Sequence, residues 1–377
     1  MHIVTSSEQL VVRNSTLEAG IPYLVNDTGA GSLLTDRRPV VCRDGITRPV
    51  YRLVKVEPTA DRFLDWNREY RDLWFFRGGG FGDLIMLTTL IQVAAARWPA
   101  ATIRVVTMPE YAPALHCVPC KVRSWPISTA SIGDEDGVVF FEGVIEDNPL
   151  AREVPGPELF VMHAFGGKLP PVHGQLPPPI YCLMDVERAW ADRTYGADRT
   201  DVGKRVGVQI SASAAARTYP PAFTVRVIEG LLKRGHEVFV FGKPGTVDTS
   251  DLPTVKNLAD DGLSFRESCA VLATCDCVIV PDSALQHVAG ALGVPAVSLW
   301  GPFPAVLRVS HNALGVRIEA AGNCSPCFHH ESGRNKFPAN RPCELAGFCT
   351  VLADIPPADI LAAVDDVLPE DPFQKLS

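Results

Sequence analysis

No apolar run in this sequence approaches the roughly 20 residues that a membrane-spanning helix needs, so none is predicted. Positive charge is not in surplus either: 35 Lys and Arg stand against 43 Asp and Glu, a formal net charge of −8. That balance gives no general pull toward nucleic acid or an anionic membrane. The opening residues, MHIVTSSEQLVVRNST, hold no charged segment followed by an apolar core. No secretory leader is therefore expected, and the compartment is read as cytoplasmic. What is present is ordinary for a soluble globular chain, 46% apolar and 21% charged residues. At 377 residues the chain exceeds one ordinary core and predicts two domains.

Residues 1–72 carry short β-like runs (Gln9–Arg13, Pro22–Val25, Pro39–Cys42, Val50–Val56) broken by Asn26-Asp27, Gly29-Ala30-Gly31 and Asp44-Gly45. They read as a small β-rich extension that covers an edge of the main body. From Leu73 the pattern turns α/β. A strand (Leu73–Phe76), a glycine-rich turn (Arg77 to Asp83), an apolar helix (Leu84–Arg97) and a second strand (Thr102–Thr107) make one βαβ unit. Glycines in the turn let the backbone approach a ligand without Cβ clashes. Val138–Phe141 is a further strand. Residues 149–179 are rich in Pro and Gly and read as a long loop containing His163, Lys168 and His173. Cys182–Ala191 is expected to be helical, and polar Asp192–Lys204 is the candidate linker.

The second half starts afresh. Strands at Arg205–Ile210 and Glu237–Phe241 alternate with helices at Ala222–Arg234 and Ser264–Thr274, the latter with a Ser264–Glu267 capping box. Its centre is VIVPDSALQHVAGALGVPAVSLWGP, Val278 to Pro302. Cys277–Val280 suits a buried parallel strand. Asp282-Ser283 reads as a helix N-cap, Gly293 as the helix stop, and Ala296–Trp300 as the next strand. A helix start at the carboxyl end of such a sheet favours phosphate.

A dinucleotide site would need G-x-G-x-x-G at the first turn. Gly78 and Gly80 fit, but Asp83 occupies the third position and Glu110 is a loose match for the ribose acid. A carboxylate there repels pyrophosphate but suits a general base beside a substrate hydroxyl, or simply a helix cap.

Several segments, in order, resemble the glycosyltransferase family that includes the bacterial ADP-heptose:lipopolysaccharide heptosyltransferases (family 9, GT-B fold). Arg77 with Gly82-Asp83-Leu84-Ile85-Met86-Leu87-Thr88 is similar to its first loop and helix. Arg217-Thr218-Tyr219-Pro220, after Ser211 and Ser213, is similar to its K-x-W-P loop. Asp282-Ser283-Ala284-Leu285-Gln286-His287 resembles D-[ST]-G-x-x-H, and Trp300-Gly301-Pro302 the following G-P turn. The resemblance spans roughly 73–365 and leaves 1–72 outside. It departs at Arg217 for Lys, Tyr219 for Trp, Ala284 for Gly and Thr89 for Pro, positions that bear on donor identity more than on fold.

The resemblance implies an α/β fold of two Rossmann-like domains facing across a cleft, with the β-rich extension added. The acceptor would bind residues 73–200 and the donor residues 201–350, with a helix and tail over 351–377 packing back across the cleft. It implies an inverting, metal-independent transfer of a sugar from a nucleotide-diphosphate donor to an acceptor hydroxyl, with no cofactor required. Asp83 would be the catalytic base. Arg77, Gly79, Gly80 and Gly82 would form the acceptor-side loop. Ser211, Ser213, Arg217, Asp282, Ser283, Ala284, His287 and Gly301 would hold the donor. The acceptor is open: a lipopolysaccharide sugar, another polysaccharide, a protein, a small molecule or modified nucleic acid. Arg68, Arg71, Arg77, Arg97, Arg104 and Lys121 could line a local basic cleft for nucleic acid, but the net charge speaks against it.

Of the 11 cysteines, Cys324 and Cys327 form a C-x2-C pair, followed by Cys343 and Cys349, with His329 and His330 between. The spacing suits a structural zinc site; disulfides and buried free thiols are the other readings. The competing function classes are a donor-binding protein without transferase activity, a GT-B-shaped epimerase and, more distantly, a nicotinamide-dependent oxidoreductase.

Overall fold

The computed structural model describes residues 2–12, 15–25, 33, 36, 38–42, 46–50, 54–58, 62–125, 127–196, 203–310, 314–328 and 342–368. The N-terminal extension is made of β1 (His2–Ser6), β2 (Leu10–Val12), β3 (Ser15–Leu17), β4 (Pro22–Val25), β5 (Pro39–Val41), β6 (Thr47–Pro49) and β7 (Val54–Pro58). β1 pairs antiparallel with β4 and β7, while β2–β3 and β5–β6 are two-stranded pairs. The breaks expected at Asn26-Asp27, Gly29–Gly31 and Asp44-Gly45 lie outside the described residues.

The first α/β domain follows: β8 (Asp72–Phe76), α1 (Phe81–Arg97), β9 (Thr102–Thr107), β10 (Lys121–Ser124), β11 (Ile127–Ser128), β12 (Gly137–Phe140), α2 (Gly156–Ala164) and α3 (Asp185–Tyr195). Its sheet runs β10-β9-β8-β12, all parallel. β8 is buried along its whole length, and its period of two divides it between two cores. Leu73 and Phe75 join the core that holds α1, whereas Trp74 and Phe76 meet Trp125, Val138 and Phe140 on the other face. Ile3 of β1 and Ile127 of β11 pack on that second face, and β11 pairs with β4. The extension thus covers a face of the sheet as well as an edge, where Arg62 forms an antiparallel bridge with Val138 of the edge strand β12. A parallel sheet needs both faces covered, and here a β layer does the work usually given to helices.

The second domain holds β13 (Arg205–Gln209), α4 (Pro221–Lys233), β14 (Glu237–Phe241), β15 (Lys256–Asn257), α5 (Phe265–Leu272), β16 (Cys277–Pro281), α6 (Ala284–Leu292), β17 (Ala296–Trp300), α7 (Val306–Val309), β18 (Gly315–Glu319), α8 (Pro342–Ala346) and α9 (Pro357–Val367). Its six parallel strands run β15-β14-β13-β16-β17-β18. The Ser264–Glu267 capping box forms, and Gly293 ends α6 at φ 74°. α9 packs on α4, β17 and β18 of its own domain rather than across the cleft.

The two domains share a core. α1 packs on α6, and α3 on α5. Phe81 and Phe265 stack across the junction with centroids 3.7 Å apart. Arg266 binds Glu187 at 2.5 Å and donates to the Cys182 and Pro113 carbonyls. Only part of the expected 192–204 linker is described. Where it is seen, α3 continues to Tyr195, and buried Arg205 donates to the Tyr195 carbonyl at 2.7 Å.

Candidate active site

The carboxyl ends of both sheets face one cleft of about 740 Å³. That is the place where open parallel sheets bind ligands, because loops after the strands diverge there. Twelve of the thirteen site residues expected from the sequence line it: Arg77, Gly79, Gly80, Gly82 and Asp83 from the first domain, and Ser211, Ser213, Arg217, Asp282, Ser283, Ala284 and His287 from the second. Gly301 is placed elsewhere. A Cβ on it would lie 3.1 Å from the Cys349 sulfur, and it lines a separate cavity with the four tail cysteines.

Asp83 lies in the first turn of α1 and is not its cap; the helix begins at Phe81 behind Gly80. Gly80 has φ 88°, and a Cβ there would collide with the Asp83 carboxylate, so the turn requires glycine. Asp83 keeps 19% of its side-chain surface open to the cleft. Arg77 is buried and holds it from behind. Its guanidinium pairs with Asp83 and with Glu146 at 2.6 Å, and donates to the carbonyls of Gly79 and Phe141, each at 2.9 Å. Burial pushes the Asp83 carboxyl above its ordinary value; Arg77 opposes this and the nearby Glu146 reinforces it. A raised carboxylate is a stronger proton acceptor, as a general base requires.

The glycines meet protein rather than open space. A Cβ at Gly79 would lie 2.8 Å from Tyr111, and one at Gly82 would lie 2.9 Å from the His287 ring. Gly82 therefore sets how closely the start of α1 approaches α6.

On the second-domain side, Ser283 takes the N-cap position of α6 but makes no side-chain cap bond. Its hydroxyl donates instead to the Gln209 side chain at 2.7 Å, at the end of β13. The first N–H groups of α6 thus carry no side-chain cap and face the cleft with the positive end of the helix dipole. Arg217 donates to Ser213 Oγ at 2.5 Å and stands 3.7 Å from the Asp282 carboxylate. Tyr219 is not in the cleft; it is buried, and its hydroxyl donates to the Ile355 carbonyl at 2.7 Å.

Sequence reasoning missed Glu142, Glu146, Gln209, Phe265 and Arg308, all of which line the cleft. The acids at 142 and 146 follow β12 directly, a placement that could have marked them.

The four tail cysteines line one cavity, with Cys343 and Cys349 buried. Burial pushes the Cys349 thiol up to about 12, and Cys343 and Cys327 add to the shift. Among the described residues, no group of three His, Cys, Asp or Glu side chains is arranged to hold a metal ion. His329 and His330 lie outside the described residues. Among those described, no helix is long and apolar enough to cross a membrane.

Residues 182–337 match the sequence profile of glycosyltransferase family 9 (heptosyltransferase). That stretch is heptosyltransferase-like. Two lipopolysaccharide heptosyltransferases 2 agree: that of Escherichia coli K12 is 26% identical over 115 residues, 27% of this chain and 33% of the relative. That of Salmonella typhimurium is 24% identical over 140 residues, 34% of this chain and 39% of the relative. The matched part thus spans between a third and two fifths of these relatives, and Asp83 lies outside the profile match. The solved structure of E. coli ADP-heptose LPS heptosyltransferase II superposes with a TM-score of 0.59 at 16% identity, over 81% of this chain and 100% of that one. The iron-containing dodecameric glycosyltransferase TibC of enterotoxigenic E. coli gives 0.52 at 14% identity, over 100% of this chain and 91% of that one. The fold is therefore the two-domain GT-B arrangement of these heptosyltransferase-like structures.

Proposed function

We propose that this chain is an inverting glycosyltransferase, heptosyltransferase-like, that moves a sugar from a nucleotide-diphosphate donor to an acceptor hydroxyl. One juxtaposition carries the reading: Asp83, with its raised carboxyl, faces the uncapped start of α6 and Arg217 across a single cleft. In the reaction the acceptor oxygen attacks the anomeric carbon from the Asp83 side and its proton passes to Asp83. The bond from the anomeric carbon to the diphosphate breaks on the opposite face, and its electron pair leaves with the diphosphate. Attack opposite the leaving group inverts the anomeric centre. Charge growing on the diphosphate is met by the N–H groups at the start of α6 and by Arg217. The nucleotide-sugar donor and carbohydrate acceptor are carried over from the relatives. The residues supply both a base and an anion site, so the transfer is proposed to run without a metal.

A melting-temperature screen tests this reading. Ligand that binds only the folded state raises the melting point. ADP-, UDP-, GDP-, CDP- and dTDP-sugars are applied with and without magnesium to the wild type and Arg217→Ala. One nucleotide should raise the melting temperature independently of magnesium, with a smaller rise in Arg217→Ala. No rise with any donor would defeat the reading and favour a different ligand for the cleft.

We also propose a structural metal at the tail cysteines, away from the chemistry. Four thiols around one cavity are a donor set suited to zinc or iron, and TibC is described as iron-containing. The raised Cys349 thiol would have to lose its proton on binding, and the four side chains would have to draw together.

A further inference from the structure

Arg308 belongs to no motif that the sequence singled out. It sits on α7, which packs against both α6 of its own domain and α2 of the other. The side chain is buried, 3% exposed, and its guanidinium lies over the Phe303 ring at 4.3 Å. Nη1 donates to the Leu307 carbonyl at 3.3 Å, while Nη2 is buried with no hydrogen-bond partner. Arg308 lines the main cleft and also a side chamber of about 320 Å³, sharing both walls with Ile145 and Glu146.

A buried cation with an unused donor costs stability unless something completes it. Three acids act on Arg308 through space: Asp282, Asp83 and Glu146. It therefore stands within electrostatic reach of both the base and the start of α6, where the bond to the leaving group would break. Lys243 also lines the cleft from the second domain, and Arg217, nearer the start of α6, is already engaged with Ser213 and Asp282. Arg308 is the less committed of the two arginines.

We propose that Arg308 is a further catalytic residue: its free Nη2 donates to the outer phosphate of the departing nucleoside diphosphate. The contact strengthens as that oxygen takes the electron pair of the broken sugar–oxygen bond; no proton is transferred. The same phosphate-like chemistry could be presented by an acid group on the acceptor in the side chamber. The charges lining that chamber balance, Glu146 and Asp147 against Arg152 and Arg308, whereas the main cleft adds the uncapped start of α6, so the donor phosphate is the favoured source. This inference rests on the transferase reading above.

The test is calorimetric titration of wild type, Arg308→Gln and Arg308→Lys with ADP, UDP, GDP, CDP and dTDP and the matching monophosphates. Arg308→Gln should weaken the diphosphate that wild type binds by at least about tenfold and leave the monophosphate within twofold. Arg308→Lys should recover part of the loss. The ligand-free melting temperature of Arg308→Gln should hold or rise, because a buried charge is removed, and Arg308→Met serves if Gln misfolds. With a working donor, kcat should fall more than KM rises. Unchanged diphosphate affinity in Arg308→Gln overturns the proposal while leaving the transferase reading intact. Unchanged diphosphate affinity with a raised acceptor KM assigns the anion to the acceptor and overturns it equally. A wild type that binds no nucleoside diphosphate overturns both.

Discussion

At Arg77 the guanidinium is shared among Asp83, Glu146 and two carbonyls, which makes it a positioning residue for the base rather than a ligand contact. Replacing it by Met would leave two carboxylates without the guanidinium that pairs with both. Breaking a buried pair of this kind costs about 3–5 kcal/mol, to be read from denaturant unfolding. The milder Arg77→Lys reports on chemistry. Arg77 lowers the Asp83 pKa and Glu146 raises it, so weakening Arg77 moves that pKa up. Only the deprotonated base works. The wild type should therefore lose kcat/KM on acidification at a higher pH than an ordinary aspartate near about 3.9, and Arg77→Lys at a higher pH still. The linkage sign is opposite for stability. A carboxyl raised in the folded state adds stability at low pH that is lost as pH rises through the raised value. An acid limb at or below the ordinary aspartate range would contradict the assignment. Asp83 was legible because a carboxylate stood where a nucleotide-binding turn would carry glycine. Glu146 had only its place after β12 to mark it, and Arg308 had no motif, because what brings each to the cleft is packing between distant chain segments.

Among the elements, helices and strands from Leu73 onward were largely legible, except α2 (Gly156–Ala164), which forms inside the Pro- and Gly-rich 149–179 stretch read as a loop. β-Branched runs, Gly stops and the Ser264 capping box are local signals, and the structure keeps them. α1 starts three residues earlier than its apolar run because Phe81 stacks on Phe265 and Gly82 lies close against His287, contacts with the other domain that the local pattern does not carry. Ser283 holds the cap position, yet its hydroxyl turns to Gln209, a partner 74 residues away that no local rule anticipates. The tail segment was legible only as spacing: four thiols reach one cavity, and Gly301 belongs with them rather than with the donor. Elemental analysis of the purified protein should find close to one zinc or iron per chain, and chelation should lower the melting temperature without changing donor affinity. Metal-free protein with an unaltered melting curve would leave the cysteines as free thiols.

For the whole molecule, two parallel sheets point their carboxyl ends at one cleft, and shared packing of α1 on α6 fixes Asp83 against the start of α6. The β-rich extension takes one face of the first sheet, out of the cleft. That placement was not legible, because among the described residues the strands reach that face through Ile3 and through the pairing of β4 with β11, and β1 and β4 are distant in sequence from the sheet. The central claim is that Asp83 removes the acceptor proton in a sugar transfer. Its most direct test is turnover of the nucleotide sugar that raises the melting temperature, followed by nucleoside-diphosphate release against a panel of carbohydrate acceptors, in wild type and Asp83→Asn. The account predicts release that needs an acceptor in wild type, with Asp83→Asn slower by about 100-fold or more and diphosphate affinity unchanged. Turnover in Asp83→Asn equal to wild type would contradict it.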